Sequence, residues 1–321
     1  MNIKNIIKKL NIVFNIFMNK YVLKKPDFSE KKIFLQAQLL YELNKKKKII
    51  QNLSDVEFSA FSQFGEDGII AWITDNVPNI PKIFLEIGTQ DYWESNTRFL
   101  LKLKNWKGYL IEGSNEYVYK IKSQRIYWQN NLKAINQFVD KENINEIIFK
   151  NIKEKKIGLL SIDIDGNDYW ILEKLENLDA DIVVCEYNPI FGDLHCITTI
   201  YDPNFIRNKK HHSNLYFGCS IMAIIKLMNK KNYTFLGSNS KGMNAFFIKN
   251  ENFNYLDNKI IDKKIFFPIL REGRDKNFKL NYKTIVENLD EIKDMEIFDL
   301  DQNINKRLSS YENLFSREWK N

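Results

Sequence analysis

The sequence predicts an α/β fold, a mainly parallel sheet flanked by helices, and three observations carry that prediction. Four short apolar runs, residues 83–87, 108–112, 157–163 and 181–188, each end in or next to an acidic or amide residue. Runs apolar at nearly every position are what strands buried on both faces look like, and parallel strands are buried on both faces. Helix-length segments separate the runs, as crossover connections require. The last two strand-like runs, 233–236 and 244–249, are joined by seven residues that include Gly237 and Gly242, which predicts an antiparallel hairpin and so an antiparallel last strand.

The elements follow in order. Residues 1–56 read as a lysine-rich helical extension, 57–250 as the sheet domain and 251–321 as a mainly helical cap. Phe61-Ser62-Gln63-Phe64-Gly65-Glu66-Asp67-Gly68 is a turn leading into an amphipathic helix, with Ser62 a candidate cap and Glu66 near capping-box spacing. The first strand is 83–87, the second 108–112, and a weaker third lies at 132–139, followed by a helix that contains Glu142-Asn143-Ile144-Asn145. The fourth strand, 157–163, runs through Ile164-Asp165-Gly166-Asn167-Asp168 into another helix. The fifth is 181–188. A loop rich in His, Tyr and Pro covers 189–216, and a helix over 219–229 precedes the hairpin.

Composition bounds the function. A chain of 321 residues with 44% hydrophobic and 14% aromatic content buries a full core. Three cysteines (Cys185, Cys196, Cys219) with no C-x-x-C pair exclude a disulfide framework and a zinc ribbon, and suit a reducing cytoplasm. Residues 1–50 hold twelve lysines against Asp27, Glu30 and Glu42, a net +9, so the other 271 residues sum to −2 of the overall +7. A near-neutral body is no nucleic-acid surface. No stretch reads as a signal peptide or as the ~20 apolar residues of a membrane span. Residues 2–24 alternate Ile, Leu and Phe with Lys and Asn at helical spacing, and two readings stand. One is a basic helix lying on an anionic membrane surface through residues 1–25; the other is an accessory helix packed on the domain or on a second subunit, giving a homodimer.

The strand ends carry the chemistry. In open α/β sheets ligands bind beyond the carboxyl ends of the strands. Glu86-Ile87-Gly88 closes the first strand, and Gly88 gives a cofactor room to lie against the backbone. Glu112, followed by Gly113 and Ser114, ends the second and suits the two hydroxyls of a ribose. Gly88 is followed by Thr89-Gln90-Asp91-Tyr92-Trp93-Glu94, so the glycines that cradle a pyrophosphate in G-x-G-x-x-G are missing and two carboxylates are added. Carboxylates repel a pyrophosphate and tolerate a cationic sulfonium. S-adenosylmethionine therefore fits better than a nicotinamide dinucleotide.

These residues, with the Asp163 and Glu186 strands and the terminal hairpin, resemble a class I S-adenosylmethionine-dependent methyltransferase, with its Rossmann-like sheet. Ser62-Gln63-Phe64-Gly65-Glu66-Asp67, Glu142-Asn143-Ile144-Asn145, Ser161-Ile162-Asp163-Ile164-Asp165-Gly166 and Gly242-Met243-Asn244-Ala245-Phe246-Phe247 are similar to the FkbM-like methyltransferases of bacterial surface-polysaccharide clusters. The resemblance spans residues 57–250. It implies O-methylation of a sugar or sugar-linked group, on a glycan or its nucleotide-sugar precursor, in the cytoplasm or at the inner face of the membrane. It departs from the usual glycine loop at Thr89-Gln90-Asp91.

Site expectations follow from both lines. Gln63, Glu86, Gly88, Asp91, Glu112, Gly113, Ser114 and Asp163 are candidate cofactor contacts. Asp163, Asp165, Glu186 and Asn188, oxygen donors on two adjacent strand ends, could hold Mg²⁺ or another divalent cation; alternatively Asp163 touches the sulfonium region and Asp165-Gly166 caps the next helix. His195, His211 and His212 are candidate bases because imidazole titrates near neutrality, and Asp163 joins them as a candidate catalytic residue. Two rivals remain: a nicotinamide-dependent oxidoreductase, for which the glycines and a Tyr-x-x-x-Lys pair are missing, and a non-catalytic binding or assembly protein that keeps the fold. Base methylation lacks its Asp/Asn-Pro-Pro-Tyr/Phe motif.

Overall fold

The computed structural model describes residues 28–268 and 273–320. The expected amphipathic helix over residues 2–24 lies outside them. The chain divides at Leu39/Leu40 into two compact units. Within the first, the described residues open the helix Phe28–Asn44; everything treated below belongs to the second. Among the described residues no helix is long and apolar enough to cross a membrane.

The strands β1 (Ile83–Ile87), β2 (Lys107–Glu112), β3 (Leu132–Asn136), β4 (Lys156–Ile162) and β5 (Asp179–Glu186) are the five expected from the apolar runs. A three-residue strand, β6 (Ile197–Thr199), follows; then come β7 (Tyr233–Ser238) and β8 (Asn244–Lys249), the expected hairpin. Seven of these form one sheet in the order β3-β2-β1-β4-β5-β8-β7. The first five are parallel, and β8 inserts antiparallel beside β5 with Glu186 opposite Asn244. The sheet is thus parallel with an antiparallel last strand, as the sequence predicts.

Period-two alternation divides the apolar residues between two faces. Leu85, Ile87, Ile111, Leu160, Ile162 and Val183 pack into one core, against the helices Ile144–Asn151, Asp168–Lys174 and Ile221–Lys230. Phe84, Leu110, Leu159, Val184 and Phe246 pack into the other, against Glu66–Asn76, Arg98–Lys104 and Asn115–Ser123. Helices on both faces leave the carboxyl edge of the sheet as the open side.

Two local expectations are adjusted. Ser62 is not the N-cap, which is Gly65 in a left-handed conformation; Ser62 Oγ instead accepts the Asp67 N–H at 3.0 Å while Asp67 Oδ2 accepts from the Ser62 N–H, so the reciprocal partner is Asp67 and Glu66 is released for another task. The region after residue 250 is less helical than expected. Among its described residues it holds one eight-residue helix, Ile285–Ile292, capped reciprocally by Thr284 and Glu287, with the short helices Asn250–Phe253 and Arg317–Lys320. The strands β9 (Glu296–Asp299) and β10 (Ile304–Arg307) join β6 in a second, three-stranded antiparallel sheet. In β9 burial alternates residue by residue, with Ile297 and Asp299 buried and Glu296 and Phe298 more exposed, a period of two that no helix shares.

Candidate active site

A cavity of about 750 Å³ opens over the carboxyl ends of β1, β2, β4 and β5. Its volume is within the usual range for a small-molecule site. Six of the charged side chains lining it are acidic (Glu86, Glu94, Glu112, Asp163, Asp165, Glu186) and one, Arg207, is basic. Such a lining raises the local concentration of cations and repels free phosphates.

On the β1–β2 side the carboxylates are occupied by the protein itself. Glu112 Oε2 accepts the N–H of Gln90 at 2.8 Å and of Thr89 at 3.2 Å, and Oε1 accepts the N–H of Ser114 at 2.8 Å. The acid at the tip of β2 thus fixes the loop after β1, in which Gln90 and Tyr92 take left-handed backbone angles. It still lines the cavity, as do Gly88, Gly113, Ser114 and Gln63. Glu86 lies deeper and is 4% exposed. Its two oxygens accept from Ser95 Oγ at 2.6 Å, Thr97 Oγ1 at 2.5 Å and the Asn96 N–H at 3.0 Å. Burial pushes its pKa up against the pull of those donors.

Gly88 has φ +81°, and a Cβ there would collide with the Asp163 carbonyl. The glycine is therefore required by the close approach of β4's end to β1's end, and the room it leaves is taken by protein backbone. Asp91, an expected cofactor contact, does not line the cavity. Its Oδ1 accepts the Trp93 N–H at 3.2 Å and its carbonyl accepts from Gln124 Nε2 at 2.5 Å, which turns the side chain back onto its own loop.

The β4–β5 side is built differently. Asp163, Asp165 and Glu186 each bring a carboxylate oxygen into a group spanning at most 4.8 Å. Burial pushes Asp163 well above the ordinary aspartate value, and the charges of Asp165 and Asp168 push it further. Glu186 is pushed well up by burial and then by Asp163. Glu186 is 8% exposed, and its Oε2 has no hydrogen-bond partner. Asp165 sits at φ +58° and pairs with Arg207, whose Nε donates to the Asn214 carbonyl at 2.7 Å and whose guanidinium lies 3.6 Å over the Phe217 ring. Asp168 is spent on the turn. Its carboxylate accepts the N–H groups of Ile164 at 2.8 Å and Gly166 at 3.0 Å, and burial pushes its pKa to about 6.

Besides Asp91, four more expected site residues are placed elsewhere. Asn188 is fully buried and does not line the cavity: its Nδ2 donates to the Leu215 and Phe217 carbonyls, each at 2.8 Å, and its Oδ1 accepts the Ile190 N–H at 3.0 Å, so both polar atoms of the side chain are engaged in its own turn and the 215–217 backbone. None of the three histidines lines the cavity. His195 Nε2 lies 2.8 Å from the Asn313 carbonyl, with its ring against Tyr311 at 4.7 Å. His211 Nδ1 is 2.7 Å from Ser213 Oγ, and the His212 ring lies against His211 at 4.3 Å, tilted by 40°. The 189–216 segment turns toward the C-terminal residues through β6, taking His195 with it, and only Phe205 and Arg207 of this segment reach the cavity.

Three residues that sequence reading passed over contribute. Glu66 Oε2 accepts the Phe64 N–H, and its Oε1 accepts from Asn239 Nδ2 and Asn244 Nδ2, all at 2.8 Å. Asn244 lines the cavity beside Glu186. Arg207 enters from a helix of four residues, Arg207–Lys210, whose only sequence signal is a basic run inside a loop.

No protein-family model matches the sequence, and no curated protein matches it. Among solved structures the chain is similar to the O-methyltransferase from Bacillus cereus in complex with SAH, at 13% identity over 74% of this chain and 96% of that one, with a TM-score of 0.36. It is also similar to an S-adenosylmethionine-dependent methyltransferase from Clostridium acetobutylicum (10% identity, 75% and 99% covered, TM-score 0.34). A third is the N-terminal domain of EvdMO1, solved in the presence of SAH and D-fucose (9% identity, 68% and 94% covered, TM-score 0.39). The strand order described above, with its antiparallel strand beside β5, is itself that of the class I methyltransferase sheet.

Proposed function

We propose that this protein is an S-adenosylmethionine-dependent O-methyltransferase that acts on a sugar or sugar-linked group in surface-glycan biosynthesis. The observation that carries the reading is the acidic cavity at the carboxyl edge of a class I methyltransferase sheet, with Glu112 on one wall and the Asp163–Glu186 group on the other. A sulfonium with an ammonium group is cationic and suits that lining; a dinucleotide pyrophosphate does not. The FkbM-like motifs support a sugar acceptor, and the lysine-rich residues 1–25 suit work at the inner face of the membrane.

The reaction is a direct displacement. An acceptor hydroxyl oxygen forms the O–CH₃ bond as the S–CH₃ bond breaks. The electron pair of that bond returns to sulfur, leaving S-adenosylhomocysteine, and the hydroxyl proton leaves toward the carboxylates on the β4–β5 side. Positioning supplies most of the acceleration, because the sulfonium is already activated.

Calorimetric titration with S-adenosylmethionine, S-adenosylhomocysteine and NADH tests this reading, with a Glu112→Gln variant alongside. Binding of both sulfur nucleosides, weakened about tenfold or more in the variant, is expected. Binding of NADH alone favours a nicotinamide-dependent oxidoreductase. A folded protein that binds none of them is a non-catalytic member of the fold.

A further inference from the structure

We infer that Asp163, Glu186 and Asp165, together with the Asn244 amide oxygen, form a binding site for one hard divalent cation on the acceptor side of the cavity. Three carboxylate oxygens lie within 4.8 Å of one another, on a β4 end and a β5 end held in fixed register by backbone pairing. Carboxylates this close cannot all keep their charge unless a cation, proton or metal, sits among them.

A second observation lies outside the acidic group. Asn244 is on β8 directly opposite Glu186, so the two side chains share a face of the sheet. It is 6% exposed and lines the cavity. Its Nδ2 is fixed on Glu66 Oε1 at 2.8 Å, and its Oδ1 is left with no partner. Glu186 Oε2 is buried and unpartnered in the same way. A buried acceptor without a donor costs free energy, and here two neighbouring ones accompany two more carboxylates. A proton shared by Asp163 and Glu186 leaves the amide oxygen unsatisfied. A cation satisfies every one of them.

The donor set selects the ion. All candidate ligands are oxygens, three of them from carboxylates; no histidine lines the cavity, and the neighbouring Cys185 thiol is fully buried in the core on the other face, where it donates to the Glu186 carbonyl, which favours Mg²⁺, Mn²⁺ or Ca²⁺ over zinc or copper. Among the described residues Arg207 is the one positive charge in the cavity lining; it pairs with Asp165, so guanidinium and metal compete for that carboxylate. A bound ion here gives the proposed reaction a Lewis acid beside the acceptor hydroxyl. The site itself does not depend on that reaction.

The test is Mn²⁺ titration of the EDTA-treated full chain without any nucleoside, read by electron paramagnetic resonance and by thermal denaturation. One Mn²⁺ per chain is expected, displaced by Mg²⁺ or Ca²⁺. Glu186→Gln and Asp163→Asn should each weaken it by more than the roughly tenfold that loss of an outer-sphere partner already costs. Both substitutions keep shape and replace a buried acid with an amide, so folding is checked directly by the melting curve. Arg207→Gln should tighten Mn²⁺ severalfold, and Glu312→Gln, an exposed acid outside the cavity, should change nothing. No stoichiometric Mn²⁺ at millimolar concentration on folded protein overturns the site. So does equal binding by wild type and Glu186→Gln. Because no nucleoside is present, failure here and failure of the methyltransferase reading are separate results.

Discussion

Both walls of the cavity are acidic, and they differ in what their acids hold. On the β1–β2 wall, Glu86 and Glu112 together take three backbone N–H groups and two hydroxyls on one loop, residues 89–97, and Glu112 also takes the N–H of Ser114. On the β4–β5 wall, Asp163 and Glu186 face one another, and Glu186 keeps an oxygen with no donor at all. The first wall's carboxylates are already used in folding the loop. The second wall's carboxylates are destabilising until something binds. The same residue type in the same cavity therefore serves shape on one side and ligand capture on the other, and the satisfaction of each oxygen tells them apart.

The largest effects should come from the first wall. Glu86→Ala leaves the Ser95 and Thr97 hydroxyls and the Asn96 N–H facing an empty space, and the expected loss is about 4 kcal/mol in urea denaturation. A loss below about 1 kcal/mol would mean that the loop after β1 is held by something else, and the contrast between the walls would weaken. Gly88→Ala comes next. The methyl group would meet the Asp163 carbonyl at a left-handed φ, so a cost of about 2–4 kcal/mol is expected, with nucleoside binding lost as well because the ends of β1 and β4 are forced apart.

Burial raises Glu86 as well, so both walls should respond to pH, and a Glu186 variant isolates the second wall's share. Asp163 is held above its unfolded value by burial and by the charges of Asp165 and Asp168, and Glu186 by burial and by Asp163, so the native state keeps protons that the unfolded chain has released. Their contribution to stability is complete below about pH 4 and declines as pH rises toward their folded values. The metal-free wild type should therefore lose stability relative to Glu186→Gln as pH rises from 5 to 8, with a difference slope of up to about 1.4 kcal/mol per pH unit for each proton. Denaturation at four pH values measures this slope. A zero or opposite slope would mean that Glu186 is charged and satisfied in the apo protein.

The sheet was legible because the strands of its parallel part are continuous apolar runs, and the hairpin because its connection is short. Gly88 and Glu112 were found for a reason that the structure revises. Strand-end position marks them, but the backbone they serve is folded by contacts some 75 residues (Gly88 to Asp163) and 23 residues (Glu112 to Thr89) apart. The second sheet was hidden for a similar reason. The strand β9 pairs with β6, about a hundred residues earlier, and a three-residue strand such as Ile197-Thr198-Thr199 gives no periodicity to read. Asn188 looked like a ligand because it follows Glu186 at strand spacing, yet the chain leaves the sheet at Tyr187 and its amide pins the 215–217 backbone.

The smallest effects should come from the residues that chemistry alone would choose first. Imidazole is the usual proton acceptor near neutral pH, and all three histidines sit in the segment that follows β5. That segment, however, is drawn toward the C-terminal residues by β6, and His195 ends against Asn313 and Tyr311. The His211 and His212 rings lie against each other at a tilt, with His211 tied to Ser213, and burial holds His211 below the ordinary value, so its ring is already partnered away from the cavity. His195→Gln, His211→Gln and His212→Gln should each keep nucleoside affinity and methyl transfer to an active glycan acceptor within about twofold of wild type, at a stability cost of no more than about 1 kcal/mol. A hundredfold loss of turnover in any one of them, with nucleoside binding intact, would move the proton acceptor off the β4–β5 wall. The carboxylates there would then be left with the cation alone as their task, and the two walls would differ in what they bind without differing in catalysis.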